Sequence, residues 1–143
     1  MDGIDAPRVT AWFEEHVPGV AGPLDFELIA GGRSNLTFKV TDAQGSRYVL
    51  RRPPLGHVLA TAHDMSREHR IISALAPTPV PVAPALGFCD NLDINGAPFY
   101  VMAFVDGLIV RDTASGEKLA PAARAKAGQS LIDVLVEIGR AHV

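Results

Sequence analysis

Apolar and polar residues follow two periods along this chain, and each change of period marks a new element. Alternation of apolar and polar residues predicts five strands, at 26–30, 36–40, 48–52, Ala85–Cys89 and 98–105. Apolar residues at helical spacing predict helices over Ala6–His16, 64–75 and 121–138. The pattern therefore predicts an α+β fold, a five-stranded antiparallel sheet with one main helix packed on it.

Glycine, proline and asparagine mark the connections between these elements. Residues 42–46 contain Gly45 and predict a tight turn, and Pro53 and Pro54 stop the third strand. The pair Asn95-Gly96 predicts a two-residue hairpin turn between the last two strands, because both residues accept positive φ. Short turns between consecutive strands favour an antiparallel sheet.

Composition and charge narrow the class of protein. The chain has 143 residues, 48% of them apolar and 20% charged, with a net charge of −3, so a nucleic-acid or membrane-surface binder is not expected. No apolar run reaches the roughly 18 residues of a membrane helix, and the acidic N-terminus does not resemble a signal peptide. Cys89 is the only cysteine, which suits a reducing cytoplasm and predicts a buried thiol.

One acidic residue lies where the helical pattern is apolar. Glu68 shares the stripe formed by Met65, Ile72 and Leu75 on the helix over 64–75. A carboxylate on a core-facing stripe is costly unless a cation meets it, and Arg51 on the third strand is the best candidate. The alternative is that Glu68 reaches solvent from the edge of the stripe and that Arg51 is a solvated strand end.

Two glycines interrupt the alternation between the first two strands. Gly31-Gly32 allows backbone N–H groups to approach a phosphate, although such a pair between two strands is more often only a turn. The order of features is more informative: a glycine segment, then a strand that ends in a cation, then a helix with an inward-facing acid. Protein kinases hold the phosphates of ATP with this layout.

The sequence resembles the aminoglycoside phosphotransferase-like (kinase-like phosphotransferase) family over its N-terminal small lobe. The branch that includes acyl-CoA dehydrogenase-fused members is the most similar. The resemblance runs from about residue 26 to residue 138, and it depends on GGRSNLTFKV, YVLRRPP, MSREHRIISAL, VPVAPALGFCDN and PFYVMAFVDG.

The resemblance implies a set of nucleotide-binding residues. These are Gly31, Gly32, Arg33, Ser34 and Asn35 over the phosphates, Arg51 with Glu68, Met102 beside the adenine, and the hinge residues Ala103, Phe104 and Val105. Many kinases have lysine at the position of Arg51, but a guanidinium retains the charge and forks onto phosphate. Arg52 is the alternative to Arg51, since a shift of one residue in the strand register would exchange them.

The function that the resemblance implies is transfer of the γ-phosphoryl group of ATP to a small-molecule hydroxyl, with Mg²⁺. The sequence contains no His-Gly-Asp type catalytic loop, so no catalytic residue and no metal ligand is assigned, and magnesium ligands are expected in the missing large lobe. The chain alone is therefore expected to be inactive. A non-catalytic nucleotide-binding or interaction module is the alternative interpretation, and the acceptor and the oligomeric state are not predicted.

Changes of composition suggest domain boundaries. Residues 1–22 are predicted to be an N-terminal helical extension, 23–106 the kinase-like small lobe, 107–120 a hinge and linker, and 121–143 the first helix of a truncated large lobe. The segment 138–143 abandons the helical stripe, and we hypothesise that it is not native.

Overall fold

The computed structural model describes residues 2–31, 35–56 and 64–140. In chain order its elements are α1 (Ala6–His16), β1 (Asp25–Ala30), β2 (Leu36–Thr41), β3 (Arg47–Arg52), α2 (Met65–Leu75), β4 (Ala85–Cys89), α3 (Leu92–Asn95), β5 (Phe99–Ala103), α4 (Thr113–Glu117) and α5 (Pro121–Arg140). The chain divides into a sheet unit, Met1–Ser73 with Ala83–Phe104, and a helical unit, Ala74–Val82 with Val105–Val143. The domain boundaries predicted from composition stay predictions.

The sheet unit is built on one five-stranded sheet in the order β1-β2-β3-β5-β4. Every neighbouring pair of strands is antiparallel, which confirms the predicted fold class. The chain leaves β3 at the double proline, forms α2, and returns as β4 at the edge of the sheet opposite β1. Consequently β5, rather than β4, lies beside β3.

One side of the sheet, here called the α1 face, carries the hydrophobic core. Phe38, Leu50 and Val101 are cross-strand neighbours on this face, and each is at most 1% exposed. Val9, Trp12 and Phe13 of helix α1 belong to the same buried cluster. Trp12 approaches Gly87 so closely that a Cβ there would lie 2.9 Å from its Cη2 atom. Glycine at this position therefore allows the helix to pack tightly against β4.

The opposite side, the α2 face, is partly polar. Arg51 and Tyr100 are cross-strand neighbours on this face, and α2 lies against them. The helix buries Met65 and places the ring of His69 against Phe88, with 5.5 Å between the ring centroids. The predicted stripe thus faces the sheet, with Glu68 within it.

Two connections were predicted to be tight turns, and only the one after β2 forms as predicted. There the Asp42 carboxylate accepts hydrogen bonds from the backbone amides of Gln44 and Ser46, and Gly45 has φ of 85°. The predicted Asn95-Gly96 hairpin turn is wrong. Asn95 ends the one-turn helix α3, and only Gly96 adopts positive φ, at 67°.

The physical reason lies in what α3 contacts. The Asn91 side chain accepts a hydrogen bond from Asp93 N and begins the helical turn. The Asn95 side chain then accepts a hydrogen bond of 2.9 Å from Asp5 N, which joins α3 to the N-cap of α1. A two-residue turn could not supply this long-range contact.

The helical unit contains α4 and α5. Asp112 caps α4, and its hydrogen bonds with Ser115 lower the pKa of the Asp112 carboxyl. This helix falls within the predicted linker, and α5 extends to Arg140, two residues beyond the predicted end. None of the helices in the described part of the chain is long and apolar enough to span a membrane.

Candidate functional site

The candidate site begins with a row of cross-strand neighbours on the α2 face. Arg51 in β3 lies opposite Thr37 in β2 on one side and opposite Tyr100 in β5 on the other. Directly opposed residues of antiparallel strands project from the same face, within reach of each other. The sheet therefore presents a guanidinium and a phenol side by side to the helix that covers them.

Helix α2 adds a carboxylate to this row. Glu68 Oε2 lies 3.5 Å from Arg51 Nε, and the two side chains are 30% and 32% exposed. This contact confirms the predicted pairing and rules out the alternative in which both groups face solvent separately. Arg51 Nε is buried and makes no hydrogen bond to any of the described residues, so its 3.5 Å contact with Glu68 is an ion pair without a hydrogen bond at that atom.

Two further side chains donate to the same carboxylate. Asn35 Nδ2 donates to Glu68 Oε1 at 2.7 Å, and the Tyr100 hydroxyl donates to Glu68 Oε2 at 3.0 Å. Burial raises the pKa of Tyr100 to about 12; the charge of Arg51 opposes that rise, and the charge of Glu68 adds to it. Tyr100 therefore stays a protonated donor at physiological pH.

Arg52 projects from the α1 face, away from this cluster. It is 6% exposed and donates to three backbone carbonyl oxygens: Pro53 O at 3.1 Å, Gly3 O at 2.5 Å and Asn95 O at 3.3 Å. Burial lowers the pKa of Arg52 from its ordinary value. The two arginines thus have different partners, and Arg51 is the one that meets Glu68.

Gly31 and Met102 are two further predicted residues, and both belong to the sheet unit. Gly31 follows β1, and a Cβ there would lie 2.8 Å from the Leu36 side chain, while Gly32, Arg33 and Ser34 lie outside the described residues. Met102 projects from the α2 face, two residues along β5 from Tyr100.

The first two hinge residues are engaged by the sheet unit. Ala103 N donates to Pro84 O at 2.9 Å, and Phe104 N donates to Arg47 O at 3.4 Å. The Arg47 guanidinium also lies over the Phe104 ring, 4.8 Å from its centroid. Val105 follows directly in sequence and is 67% exposed.

Two residues on the α2 face were not predicted. Tyr100 escaped prediction because the sequence does not show that β5 lies beside β3. Lys39 projects from the same face opposite Val49 and forms an ion pair with Glu27. Strand alternation places Lys39 on one face with Thr37, but only the pairing of β2 with β3 shows that this is the face of Arg51.

Within 2–31, 35–56 and 64–140, no cluster of three or more histidine, cysteine, aspartate or glutamate side chains could hold a metal ion. The described site consists of a restrained cation with hydrogen-bond donors around its counter-ion.

A strand cation paired with a helix acid, after a glycine segment, defines a kinase-like small lobe. Comparison with known proteins supports this class. The sequence profile of the Phosphotransferase enzyme family matches residues 25–142, and the chain belongs to that family. The aminoglycoside phosphotransferase-like resemblance is thereby confirmed.

Individual relatives agree with this assignment. Acyl-CoA dehydrogenase family member 11 of Rattus norvegicus is 37% identical over 136 residues, covering 92% of this chain and 17% of that protein. Family member 10 of Mus musculus is 40% identical over 91 residues, covering 64% of this chain and 8% of that protein. These relatives confirm the predicted branch, and the chain spans less than a fifth of their length.

A solved structure shows the same fold. It is a protein from Ralstonia eutropha, provisionally described as an aminoglycoside phosphotransferase, with a TM-score of 0.72 and 34% sequence identity. The match covers 93% of this chain and 37% of the Ralstonia protein.

Proposed function

We propose that this chain is the ATP-binding lobe of a phosphotransferase that transfers the γ-phosphoryl group of ATP to a hydroxyl group of a small molecule. Family membership supports the phosphotransferase assignment. The observation that carries the nucleotide proposal is the Arg51–Glu68 pair, 3.5 Å apart on the α2 face, with Asn35 holding the end of the glycine segment beside it.

The donor set fits an anionic phosphate. A guanidinium has five N–H donors in one plane, and the contact with Glu68 uses no hydrogen bond at Nε. Because Arg51 is about one third exposed, its charge is held in place yet remains accessible to an anion from solvent. Bound ATP would supply the phosphoryl group, and Arg51 would orient its phosphates.

The other proposed contacts follow the chain around this cation. Residues 31–35 would cover the phosphates, and Met102 would border the base. The amides of Ala103 and Phe104 already donate within the sheet unit, so the amide of Val105 is the hinge donor proposed for the adenine edge. In phosphoryl transfer, positioning and charge stabilisation account for most of the catalysis, and this lobe would supply the positioning.

Catalysis itself is proposed to require residues outside this chain. No catalytic residue is assigned here, and the magnesium ligands are proposed to belong to a large lobe. The chain alone is therefore proposed to bind nucleotide weakly without transferring phosphate.

The test is nucleotide binding by the purified chain, measured by isothermal titration calorimetry with ATP. Arg51→Ala should weaken ATP binding by about 10- to 100-fold, because hydrogen bonds to charged groups contribute roughly 1.5–3 kcal/mol each. Arg51→Lys should retain part of the affinity. Lys126→Ala is the matched control, since Lys126 is an exposed cation on α5 and should leave affinity unchanged.

Equal ATP affinity in wild type and Arg51→Ala would refute the nucleotide role of this side chain. The non-catalytic module is distinguished by a second assay, phosphoryl transfer by the full-length gene product. A full-length product that binds ATP but transfers no phosphate to any hydroxyl acceptor would favour the module.

A further inference from the structure

The Glu68 carboxylate contacts side chains from three other parts of the sheet unit, two hydrogen-bond donors and one cation. Asn35, just before β2, donates to Oε1, while Tyr100 in β5 donates to Oε2. Arg51 in β3 makes its 3.5 Å ion-pair contact with that same Oε2 atom. One side chain thus links the end of the glycine segment, two strands and a helix.

The Tyr100 hydroxyl is the unexpected member of this cluster. Tyr100 is 2% exposed, and its ring packs near His69, with 6.2 Å between the ring centroids. A phenylalanine would fill the same space without burying a hydroxyl. A buried phenol needs a hydrogen-bond partner, and here the partner is the carboxylate that faces the candidate phosphate-binding cation.

We propose that Tyr100 is a positioning residue of the nucleotide site: its hydroxyl holds the Glu68 carboxylate in the orientation that restrains Arg51, and Asn35 holds the other oxygen of that carboxylate. This inference rests on the proposed nucleotide-binding function. The buried Tyr100 hydroxyl would thereby have an indirect role in phosphate binding, through Glu68.

The physical basis is preorganisation. Glutamate has several rotamers, and Arg51 alone does not fix its carboxylate, because their contact includes no hydrogen bond at Nε. When the guanidinium turns part of its charge toward a phosphate, its hold on Glu68 weakens further. The hydrogen bonds from Tyr100 and Asn35 persist, so Glu68 remains in place and the entropy cost of ordering Arg51 around the phosphate is lower.

The experiment compares two ligands with three variants of this chain by calorimetry. ATP carries the phosphates that Arg51 would bind, and adenosine does not. Tyr100→Phe should weaken ATP binding by about 3- to 10-fold, less than the full contribution of a hydrogen bond to a charged group, because the hydroxyl acts on the phosphates only through Glu68 and Arg51. Adenosine binding should be unchanged. Asn35→Ala should act in the same direction. Tyr48→Phe is the matched control, because Tyr48 projects from the α1 face, with its ring 6.0 Å from Phe13.

A double-mutant cycle separates positioning from folding. If Tyr100 acts through Glu68, Tyr100→Phe should have less than a twofold further effect on ATP affinity in a Glu68→Ala background, which has no side-chain acceptor for the hydroxyl. Additive effects, or an equal loss for adenosine and ATP, would overturn the inference. An unchanged ATP affinity in Tyr100→Phe, with a clear loss in Arg51→Ala, would refute it while leaving the proposed function intact. Failure of the wild-type chain to bind ATP would refute the proposed function itself.

Discussion

Substitution of the two adjacent arginines on β3 should have different effects: loss of Arg52 should lower stability, and loss of Arg51 should weaken nucleotide binding. We consider Arg51→Ala and Arg52→Ala, two identical substitutions at neighbouring positions. Arg52 joins β3 to the chain before α1 through Gly3 O and to α3 through Asn95 O, contacts that span 49 and 43 residues of sequence. Arg51 joins β3 to α2 through its ion pair with Glu68, and both side chains are about one third exposed.

The expected magnitudes differ accordingly. Hydrogen bonds from a charged donor contribute roughly 1.5–3 kcal/mol each, so Arg52→Ala removes a gross stabilisation of several kcal/mol. Burial of the guanidinium offsets part of this, and we expect a net loss of about 3 kcal/mol in the free energy of unfolding. A partly exposed ion pair contributes about 0–1 kcal/mol, so Arg51→Ala should have a much smaller effect on stability.

Urea unfolding followed by tryptophan fluorescence measures this difference. Trp12 is the only tryptophan and is 6% exposed, so its emission reports the core on the α1 face. With a slope of about 1–3 kcal/mol per molar urea, Arg52→Ala should lower the unfolding midpoint by roughly 1–3 M. A midpoint for Arg52→Ala within about 0.3 M of wild type, or a larger loss in Arg51→Ala, would refute the assignment of the two faces.

Three further predictions follow from single positions. Gly87→Ala should cost about 1–3 kcal/mol by overpacking against Trp12, whereas Gly128→Ala, in open space on α5, should be neutral or stabilising by up to about 1 kcal/mol; thermal melts compare them. Since the pKa of Tyr100 is raised to about 12, its contribution is complete below the ordinary value of about 10 and lost as pH rises through about 12. Alkaline melts should therefore show a fall in stability over this range that Tyr100→Phe lacks, and equal falls in both proteins would contradict the shift. Burial raises the pKa of the Cys89 thiol, so Ellman's reagent at pH 8 should react slowly with the native chain and rapidly in urea; fast native labelling would contradict its burial.

The sequence predicted the parts of the site that depend on local periodicity. Alternation along β3 placed Arg51 and Val49 on one face, and helical spacing placed Glu68 on the stripe of Met65 and Ile72. Two local periods sufficed because the strand and the helix follow each other in the chain. Each element therefore needed only to present one charged residue to the other.

The parts that depend on sheet order were beyond the sequence. Tyr100 joins the cluster because the chain crosses over and inserts β5 next to β3, and no local pattern encodes that neighbour. The role of Asn95 was missed for a related reason: its partners, Asp5 and Arg52, are far away in sequence. Local turn chemistry therefore favoured a hairpin where long-range hydrogen bonds stabilise a helical turn.

The composition of β3 has one further consequence. Its last four residues are two apolar side chains followed by two cations, so each face of the strand receives the same order, apolar and then positive. A shift of the β3 register by one residue would exchange Arg51 and Arg52, and each face would still receive an apolar residue followed by a cation. In most strands such a shift is heavily penalised, because it moves apolar residues to the wrong face. The correct alignment must therefore be imposed from outside the strand, by the Asp42 turn and the paired prolines. An insertion in the Asp42 turn would therefore be expected to yield a folded protein in which β3 pairs with its neighbours in a shifted register.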